Sequence, residues 1–203
     1  MSKSKITIQE YLSIGYVFLL FLGIVYQAIF YSYFNINILS YSSILDVLLS
    51  PVSVITDNLL TLGIIIGVIA FGVFYVKVLA SKIYYYFREK KWYQKIYNIE
   101  KWDTFYENGI SNNIVISYVC LLLLSVFLGL ALGSGVKMSK RMETGDLKVN
   151  KILEFKTGEK LKVKTIGQNS LYIFYIVENE KQLSITPIQE NIKRIVRIHN
   201  DEE

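Results

Sequence analysis

The sequence predicts an α-helical membrane protein with three transmembrane helices and a C-terminal all-β domain of the SH3-like or Sm-like small-barrel type. Three segments without a charged residue, at 11–34, 58–76 and 108–136, carry the first part of this prediction. Each is close to or longer than the roughly 20 residues that a helix needs to cross about 30 Å of hydrocarbon. From residue 148 onward, apolar residues recur instead at every second position, which is typical of strands.

The predicted spans are residues 11–34, 59–80 and 112–135, within a transmembrane domain of residues 1–136 that precedes a β-rich domain of residues 137–203. The first segment is longer than the apolar core of a signal peptide, which has about 7 to 15 residues. It also ends in YSYF and not in a small-residue cleavage site. We therefore expect it to stay in the protein as a permanent helix.

The charges between the segments predict the orientation, because basic residues favour the cytoplasmic side of a membrane. The connection 35–57 has two aspartates and no basic residue, so we expect it on the outer side. The second connection is rich in lysine, and Lys3 and Lys5 precede the first span, so both regions are expected inside. Three crossings then put the C-terminal domain outside, unless a partial crossing at 34–51 reverses its side.

Residues 43–50 are predicted to form a short interfacial or re-entrant helix. Ser43 followed by Asp46 is a helix-start signature, because both side chains accept hydrogen bonds from free N–H groups of the first turn. Pro51 is expected to end this helix. Two turns are too short to span the hydrocarbon.

Residues 88–107 are predicted to form one amphipathic helix along the cytoplasmic membrane surface. Trp92, Tyr93, Tyr97 and Trp102 alternate there with lysines and glutamates. Rings with one polar edge favour the headgroup layer, and lysine stems can lie along it while their ammonium groups reach water. Aromatic residues interleaved with basic ones are also typical of nucleic-acid binding, and this alternative stays open.

Five segments of period two predict the strands of the barrel: KILEF, KLKVKTI, SLYIFYIV, QLSITPI and IKRIVRI. Residues with turn chemistry, mainly glycine, asparagine, serine and charged residues, separate most of them. Residues 171–177 are apolar on both faces, and we expect them to form the central strand.

Small or weakly polar residues repeat every four positions on one face of the second and third spans: Gly63 and Gly67, then Ser117, Leu121, Ser125, Gly129 and Gly133. Small residues at this spacing let helix backbones approach closely in lipid. This face can pack within the protein's own helices, line a pore at the axis of a symmetric oligomer, or form a homodimer contact. The sequence leaves these three interpretations open.

Three lysines of the second predicted strand, Lys160, Lys162 and Lys164, stand at alternate positions and therefore share one face. We expect them to form a basic stripe that binds an anionic regulator, such as a nucleotide, an oligonucleotide or a lipid headgroup. The alternative is a solvated strand face, because nearby glutamates weaken the positive field.

No residue pattern predicts an enzyme, a cofactor or a metal site. Cys120 is the only cysteine and His199 the only histidine. The sequence contains no glycine-rich phosphate loop, no zinc-ligand spacing and no motif that pairs a serine with a histidine. We therefore expect a protein without catalytic activity.

Two stretches resemble small bacterial membrane proteins of three helices: YSYFNINILSYSSILDVLLSP after the first span, and IGQNSLYIFYIVENEKQLSITPIQENIKRI near the C-terminus. In that group a Tyr/Phe-rich first span runs into a Ser-x-x-Asp loop helix. The tail is a small β-domain with a Pro-x-x-x-Asn-Ile-Lys segment, which is Pro187 to Lys193 in this chain. The resemblance implies a multi-pass protein of the bacterial inner membrane. For some proteins of this build it also implies a membrane effector of anti-phage defence, in which a sensing part controls pore formation.

Two functional hypotheses follow. The first is a homo-oligomeric pore or channel-type effector, with the third helix at the symmetry axis and the basic β-domain as its regulator. The second is a membrane-anchored interaction or ligand-binding module without a conducting pore. The lipid bilayer is a partner in both hypotheses.

Overall fold

The computed structural model describes residues 7–107 and 109–198, so Lys3, Lys5 and His199 lie outside the described residues. The helices are α1 (Ile8–Ser32), α2 (Ile44–Thr56), α3 (Leu59–Phe74), α4 (Ala80–Phe87), α5 (Lys91–Ile96), α6 (Ile99–Glu107), α7 (Asn112–Thr144) and α8 (Ile188–Asn191). A 3-10 turn lies at Ile38–Ser40 and a π-helical turn at Tyr75–Leu79. The strands are β1 (Lys151–Phe155), β2 (Lys160–Gln168), β3 (Tyr172–Val177), β4 (Leu183–Pro187) and β5 (Ile192–Arg197).

The described chain divides into two compact units that differ from the predicted domains. One unit combines the residues up to Val52 with those from Leu128 onward, and the other comprises residues 53–127. The first unit therefore contains α1, the loop after it, the C-terminal part of α7 and the whole sheet. Its contacts join the N-terminal and C-terminal parts of the chain.

Three helical segments in the described chain are long and apolar enough to cross a membrane: Ile8–Ser32, Leu59–Phe87 and Asn112–Thr144. They have 25, 29 and 33 residues, and only 17% of the most apolar window of each is buried. Because so much apolar surface faces outward, these helices indicate a membrane protein. The second segment combines α3, the π-helical turn and α4 into one continuous helix.

Helix α1 begins at Ile8, three residues before the predicted span, because Thr7 and Glu10 form a capping box. The Thr7 hydroxyl oxygen accepts a hydrogen bond from the Glu10 N–H at 3.3 Å. The Glu10 carboxylate accepts one from the Thr7 N–H at 2.6 Å. These two bonds satisfy backbone donors that would otherwise lack a partner at the start of the helix.

Helix α2 shows that the predicted end at Pro51 is wrong. Asp46 and Ser43 cap the start of the helix as expected, with the Asp46 N–H donating to the Ser43 hydroxyl at 3.1 Å. The helix then continues through Pro51 to Thr56. Proline cannot donate to the Val47 carbonyl four residues earlier, and Gly23 of α1 lies directly against that carbonyl, where a side chain would clash. The helix has 13 residues, which is about 20 Å and still too short to span.

The prediction of a single surface helix at 88–107 is also wrong, because the structure has two helices, α5 and α6, in this region. Tyr97 takes an extended backbone conformation between them. The side chain of Asn98 then accepts a hydrogen bond from the Lys101 N–H at 3.2 Å, which caps α6 and favours a new helix start. The Tyr84 hydroxyl donates to the Asp103 carboxylate at 2.8 Å, so α6 is tied back to α4.

The five strands form an antiparallel sheet in the order β4-β3-β2-β1-β5, and all five lie where the period-two segments predicted them. The middle strand is β2, whereas β3 was expected there. The four internal residues of β3 are buried, as an apolar pattern on both faces requires. Among the described strands β4 and β5 are the two edges and do not pair with each other.

Each face of the sheet covers a separate apolar cluster. On one face, Leu153, Val163, Ile173, Tyr175 and Ile192 form a buried cluster within the sheet domain. On the other face, Phe174 is fully buried against residues from the end of α1 and the loop after it: Phe30, Tyr31, Phe34 and Ile38. Met138 and Met142 of α7 pack against this second cluster. The sheet therefore packs against the C-terminal ends of α1 and α7.

Hydrogen bonds also join the turn between β2 and β3 to the chain after α1. Asp46 accepts hydrogen bonds from the Ser170 N–H and from the Ser170 hydroxyl, each at 3.0 Å. The Asn169 side chain donates to the Tyr41 carbonyl at 2.9 Å. Desolvation raises the pKa of Asp46, but the hydrogen bonds from Ser43 and Ser170 outweigh it, so the pKa lies below its ordinary value of 3.8.

We predict that Asp46→Asn destabilises the protein by about 1 kcal/mol at neutral pH, because a charged acceptor at a helix start is lost. The contribution of Asp46 is complete above the ordinary pKa and is lost as the pH falls through the lowered pKa of the folded state. Thermal unfolding of the purified protein in detergent should therefore show a difference between parent and variant that shrinks below about pH 4.

Asp57→Asn is the matched control, because Asp57 is exposed and lies in the same connection. It should leave the stability unchanged within about 0.5 kcal/mol. Equal stability of the parent and Asp46→Asn at neutral pH would show that the contact between Asp46 and Ser170 contributes nothing.

Candidate anion-binding cleft

The three predicted lysines share the face of the sheet that is turned toward the helix ends, and two of them, Lys162 and Lys164, line a cavity there. Lys164 stands directly opposite Ile176 in the pairing of β2 with β3. Ile176 is two residues from Phe174, so the two side chains share a face. Since Phe174 packs against the end of α1, Lys164 and Lys162 lie on that same face of the sheet.

A cleft of about 650 Å³ lies at these two lysines. One side is lined by Gly145, Leu147, Lys148 and Val149 of the segment after α7, and another by Lys162, Lys164 and Ile176 of the sheet. The turn Glu178 to Lys181, between β3 and β4, and Ile198 complete the lining. We call this cavity the anion-binding cleft, after the ligand class that the lysines predict.

Positive charge is in excess in the cleft. Four lysines line it, Lys148, Lys162, Lys164 and Lys181, against two glutamates, Glu178 and Glu180. Lys162 lies 3.9 Å from Glu178, which is a long ion pair between exposed groups. Lys181 donates a hydrogen bond to the Glu143 carbonyl at 3.2 Å. Within the described residues, Lys148 and Lys164 have no carboxylate partner.

Lys164 carries its charge in an unfavourable environment. Desolvation lowers the pKa of Lys164, and the positive charge of Arg141 near the end of α7 lowers it further. An anion beside Lys164 would offset the repulsion from Arg141 and replace part of the lost water contacts. The arrangement therefore favours an anion in the cleft.

Lys160, the third lysine of the predicted stripe, does not line the cleft. It is exposed and stands opposite Glu154 in the pairing of β1 with β2. Glu154 also forms an ion pair with Lys193 at 3.3 Å. Glu154 therefore offsets part of the positive charge at this end of the sheet.

Sequence reasoning missed Lys148, Lys181 and Arg141, which the fold brings to Lys162 and Lys164. The signal that could have located Lys181 is the strand register. A hairpin between β2 and β3 puts Glu178 beside Lys162, so the following turn must lie near the lysines. Arg141 and Lys148 depend on where α7 ends, which the sequence does not indicate.

The predicted small-residue face of α7 points away from the described chain. Ser117, Leu121, Ser125, Gly129 and Gly133 are all exposed. A side chain added at Gly129 or Gly133 would meet nothing within 4 Å, and the same holds for Gly63 and Gly67 of α3. The Ser125 hydroxyl donates to the Leu121 carbonyl at 2.9 Å, so its hydrogen bond is satisfied within the helix.

Other glycines make the close helix contacts in this structure. Gly135 lies against the ring of Tyr33, and Gly72 lies against Leu122 and Val119. On α7, Phe127, Ala131 and Gly135 form a buried row spaced by four residues. Each residue of this row follows a residue of the exposed small-residue face by two positions. Because two residues correspond to a rotation of about 200° around a helix, the row lies on the opposite side.

Comparison with protein-family models, with curated proteins and with solved structures finds no match to this chain.

We predict that Lys164→Gln raises the stability of the protein at low salt and neutral pH, by up to about 1 kcal/mol. The reason is that the lowered pKa of Lys164 means that its charged form is disfavoured in the folded state. Thermal unfolding in detergent, in a buffer without multivalent anions, measures the effect. High salt should reduce it, because screening weakens the repulsion from Arg141, while the larger contribution of desolvation remains.

Lys160→Gln provides the contrast, since Lys160 faces a glutamate and its removal should not stabilise the protein. If Lys164→Gln destabilises the protein at low salt, then Lys164 makes a favourable structural contact and the cleft is not electrostatically strained.

Proposed function

We propose that this protein is a membrane-anchored module that binds an anionic ligand in the cleft of its β-domain. The observation that carries the proposal is a cavity lined by Lys148 and Lys164, neither of which has a carboxylate partner among the described residues. The positive charge of Arg141 acts on Lys164 as well. Three apolar helices hold this domain at a membrane surface. A lysine without a partner in a partly desolvated cleft is a typical anion-recognition group.

The proposed orientation has the N-terminus in the cytoplasm and the β-domain on the outer side. Three complete crossings put the connection 35–57 and the β-domain on the same side of the membrane. The hydrogen bonds that join Tyr41 and Asp46 to Asn169 and Ser170 support this, because both partners of each bond must lie on one side. The acidic connection, with no basic residue, favours the outer side.

The β-domain is proposed to be a small barrel of the SH3-like or Sm-like type. Its support is the antiparallel order β4-β3-β2-β1-β5 together with two irregularities in the pairing. The register shifts between Glu154 and Phe155 and again between Thr165 and Gly167. Bulges of this kind bend strands and increase their twist, which is what curling a five-stranded sheet requires.

A homo-oligomeric pore is the second candidate function, in which the β-domain controls conduction. It is favoured by the exposed face of α7 that carries Ser117, Ser125, Gly129 and Gly133, because no other side chain of the described chain fills it. The resemblance to membrane effectors of bacterial anti-phage defence points the same way. The internal hydrogen bond of Ser125 counts against it, because this hydroxyl needs no water.

We predict that an anion raises the unfolding temperature of the full-length protein in detergent and that Lys162→Gln with Lys164→Gln abolishes most of that increase. The probes are inorganic phosphate, ATP, a short single-stranded oligonucleotide and dispersed phosphatidylglycerol. Ligand binding to the folded state alone stabilises it in proportion to the logarithm of the ligand concentration. The effect should be greatest at low ionic strength.

The matched control is Lys160→Gln with Lys193→Gln, which removes the same charge from the same sheet outside the cleft. It should keep the increase. If the two double variants lose the increase equally, the probes respond to the net charge of the protein and not to the cleft. If no probe raises the unfolding temperature of the parent protein, the cleft binds none of these anions.

The pore candidate predicts that cysteines at positions 117 and 125 react with a charged, membrane-impermeant thiol reagent, while cysteines at 119 and 123 do not. Cys120 is first replaced by alanine. Reaction should follow the helical period of about 3.6 residues and should block any conductance measured in planar bilayers. Protection of positions 117 and 125 in protein that conducts ions would contradict a pore along this face.

A further inference from the structure

We propose that the occupant of the anion-binding cleft is the phosphate headgroup of an acidic phospholipid in the leaflet next to the β-domain. This inference rests on the proposed anion-binding function and specifies its ligand. Lys148 and Lys164 hold the phosphate, the positive charge of Arg141 adds to its attraction, and the apolar side chains of the cleft contact the carbon chain behind it.

The first support is the direction in which the cleft faces. Lys164 and Ile176 lie on the same face of the sheet as Phe174. That face packs against Phe30 and Phe34 at the end of α1 and against Met138 of α7. The cleft is therefore on the side of the sheet turned toward the ends of the membrane helices, and the opposite face carries a separate apolar cluster.

The second support is the height of the cleft above the hydrocarbon. The uncharged run of α7 ends at Val136, and the helix continues without a break to Thr144. Arg141 stands five residues beyond Val136, which corresponds to about 8 Å along a helix. The headgroup layer on each side of a bilayer is roughly 5 to 8 Å thick. We therefore expect Arg141, and with it the Lys164 ammonium whose pKa it lowers, at the level of the lipid phosphates.

The third support is the chemistry of the lining. Among the described residues, no aromatic side chain lines the cleft, whereas recognition of single-stranded nucleic acid depends on rings that stack with the bases. Leu147, Val149 and Ile176 line it together with the lysines. Apolar side chains beside an ammonium group suit a ligand with a phosphate at one end and hydrocarbon at the other.

The charges of the cleft also select against a zwitterionic lipid. Each lysine or arginine near a membrane surface is attracted to an acidic headgroup, whereas a headgroup with its own cation offers no net charge. Glu178 and Glu180 reduce the positive excess but do not cancel it, because four lysines line the same cavity. We therefore expect phosphatidylglycerol to bind and phosphatidylcholine not to bind at this site.

The test uses the full-length protein, delipidated in detergent and titrated with phosphatidylglycerol, phosphatidylcholine, inorganic phosphate or ATP. Native mass spectrometry counts the lipids that stay bound, and thermal unfolding reports the stabilisation. The cleft variant is Lys148→Gln with Lys164→Gln, and the matched control is Lys160→Gln with Lys193→Gln. Removing two cations at a headgroup site should weaken the apparent affinity for phosphatidylglycerol about tenfold or more at low salt. The control should match the parent.

Three outcomes would overturn the inference, and they differ in whether the proposed anion-binding function survives. If inorganic phosphate or ATP binds through Lys148 and Lys164 while phosphatidylglycerol shows no preference over phosphatidylcholine, the anion-binding function stands and its ligand is soluble. If phosphatidylglycerol binds the cleft variant as tightly as the parent, the lipid sits elsewhere on the helices. If no anion binds through these lysines, the proposed function fails as well.

Discussion

The packing of one face of the sheet against the aromatic end of α1 is the contact on which the other features depend. Phe174 lies with its ring centre 5.1 Å from that of Tyr31 and 6.0 Å from that of Tyr41. Gly167 of β2 lies directly against the Tyr31 hydroxyl, so a side chain at this position would push the strand away. Burial of several aromatic rings between two elements contributes far more than any exposed ion pair. It sets which face of the sheet is turned toward the helix ends, and therefore where Lys162 and Lys164 lie.

Much of the fold could be predicted because its signals are local. The strands follow from apolar residues at alternate positions, and the start of α2 follows from the Ser43 and Asp46 capping pair. One error lies where a contact distant in sequence decides the outcome. Pro51 is tolerated inside α2 where α1, through Gly23, packs against the carbonyl that the proline cannot pair with. The break at Tyr97 depends on the Asn98 cap, a local signal that the aromatic and basic pattern concealed.

The candidate site was predictable in part for the same reason. Alternation along β2 located Lys162 and Lys164. It also included Lys160, which stands opposite Glu154 in the sheet and does not line the cleft. Lys148 and Arg141 reach the site because α7 continues eight residues beyond its apolar run before the chain turns at Gly145. Small-residue spacing on α7 likewise could not tell a packed face from an exposed one, since Gly135 and Gly133 differ only in what lies opposite.

The central claim is that the loop after α1 and the turn between β2 and β3 lie side by side in the membrane-bound protein. A cysteine pair at Ser42 and Asn169 tests it most directly, because the Ser42 hydroxyl and the Asn169 amide nitrogen are 3.5 Å apart. With Cys120 replaced by alanine, mild oxidation in intact membranes should form this disulfide. A pair at Lys151 and Arg197, which are direct partners across β1 and β5, serves as the positive control. Efficient formation of the Ser42 and Asn169 disulfide is the predicted result. Absence of that disulfide, in membranes where the Lys151 and Arg197 pair forms one, would contradict the account.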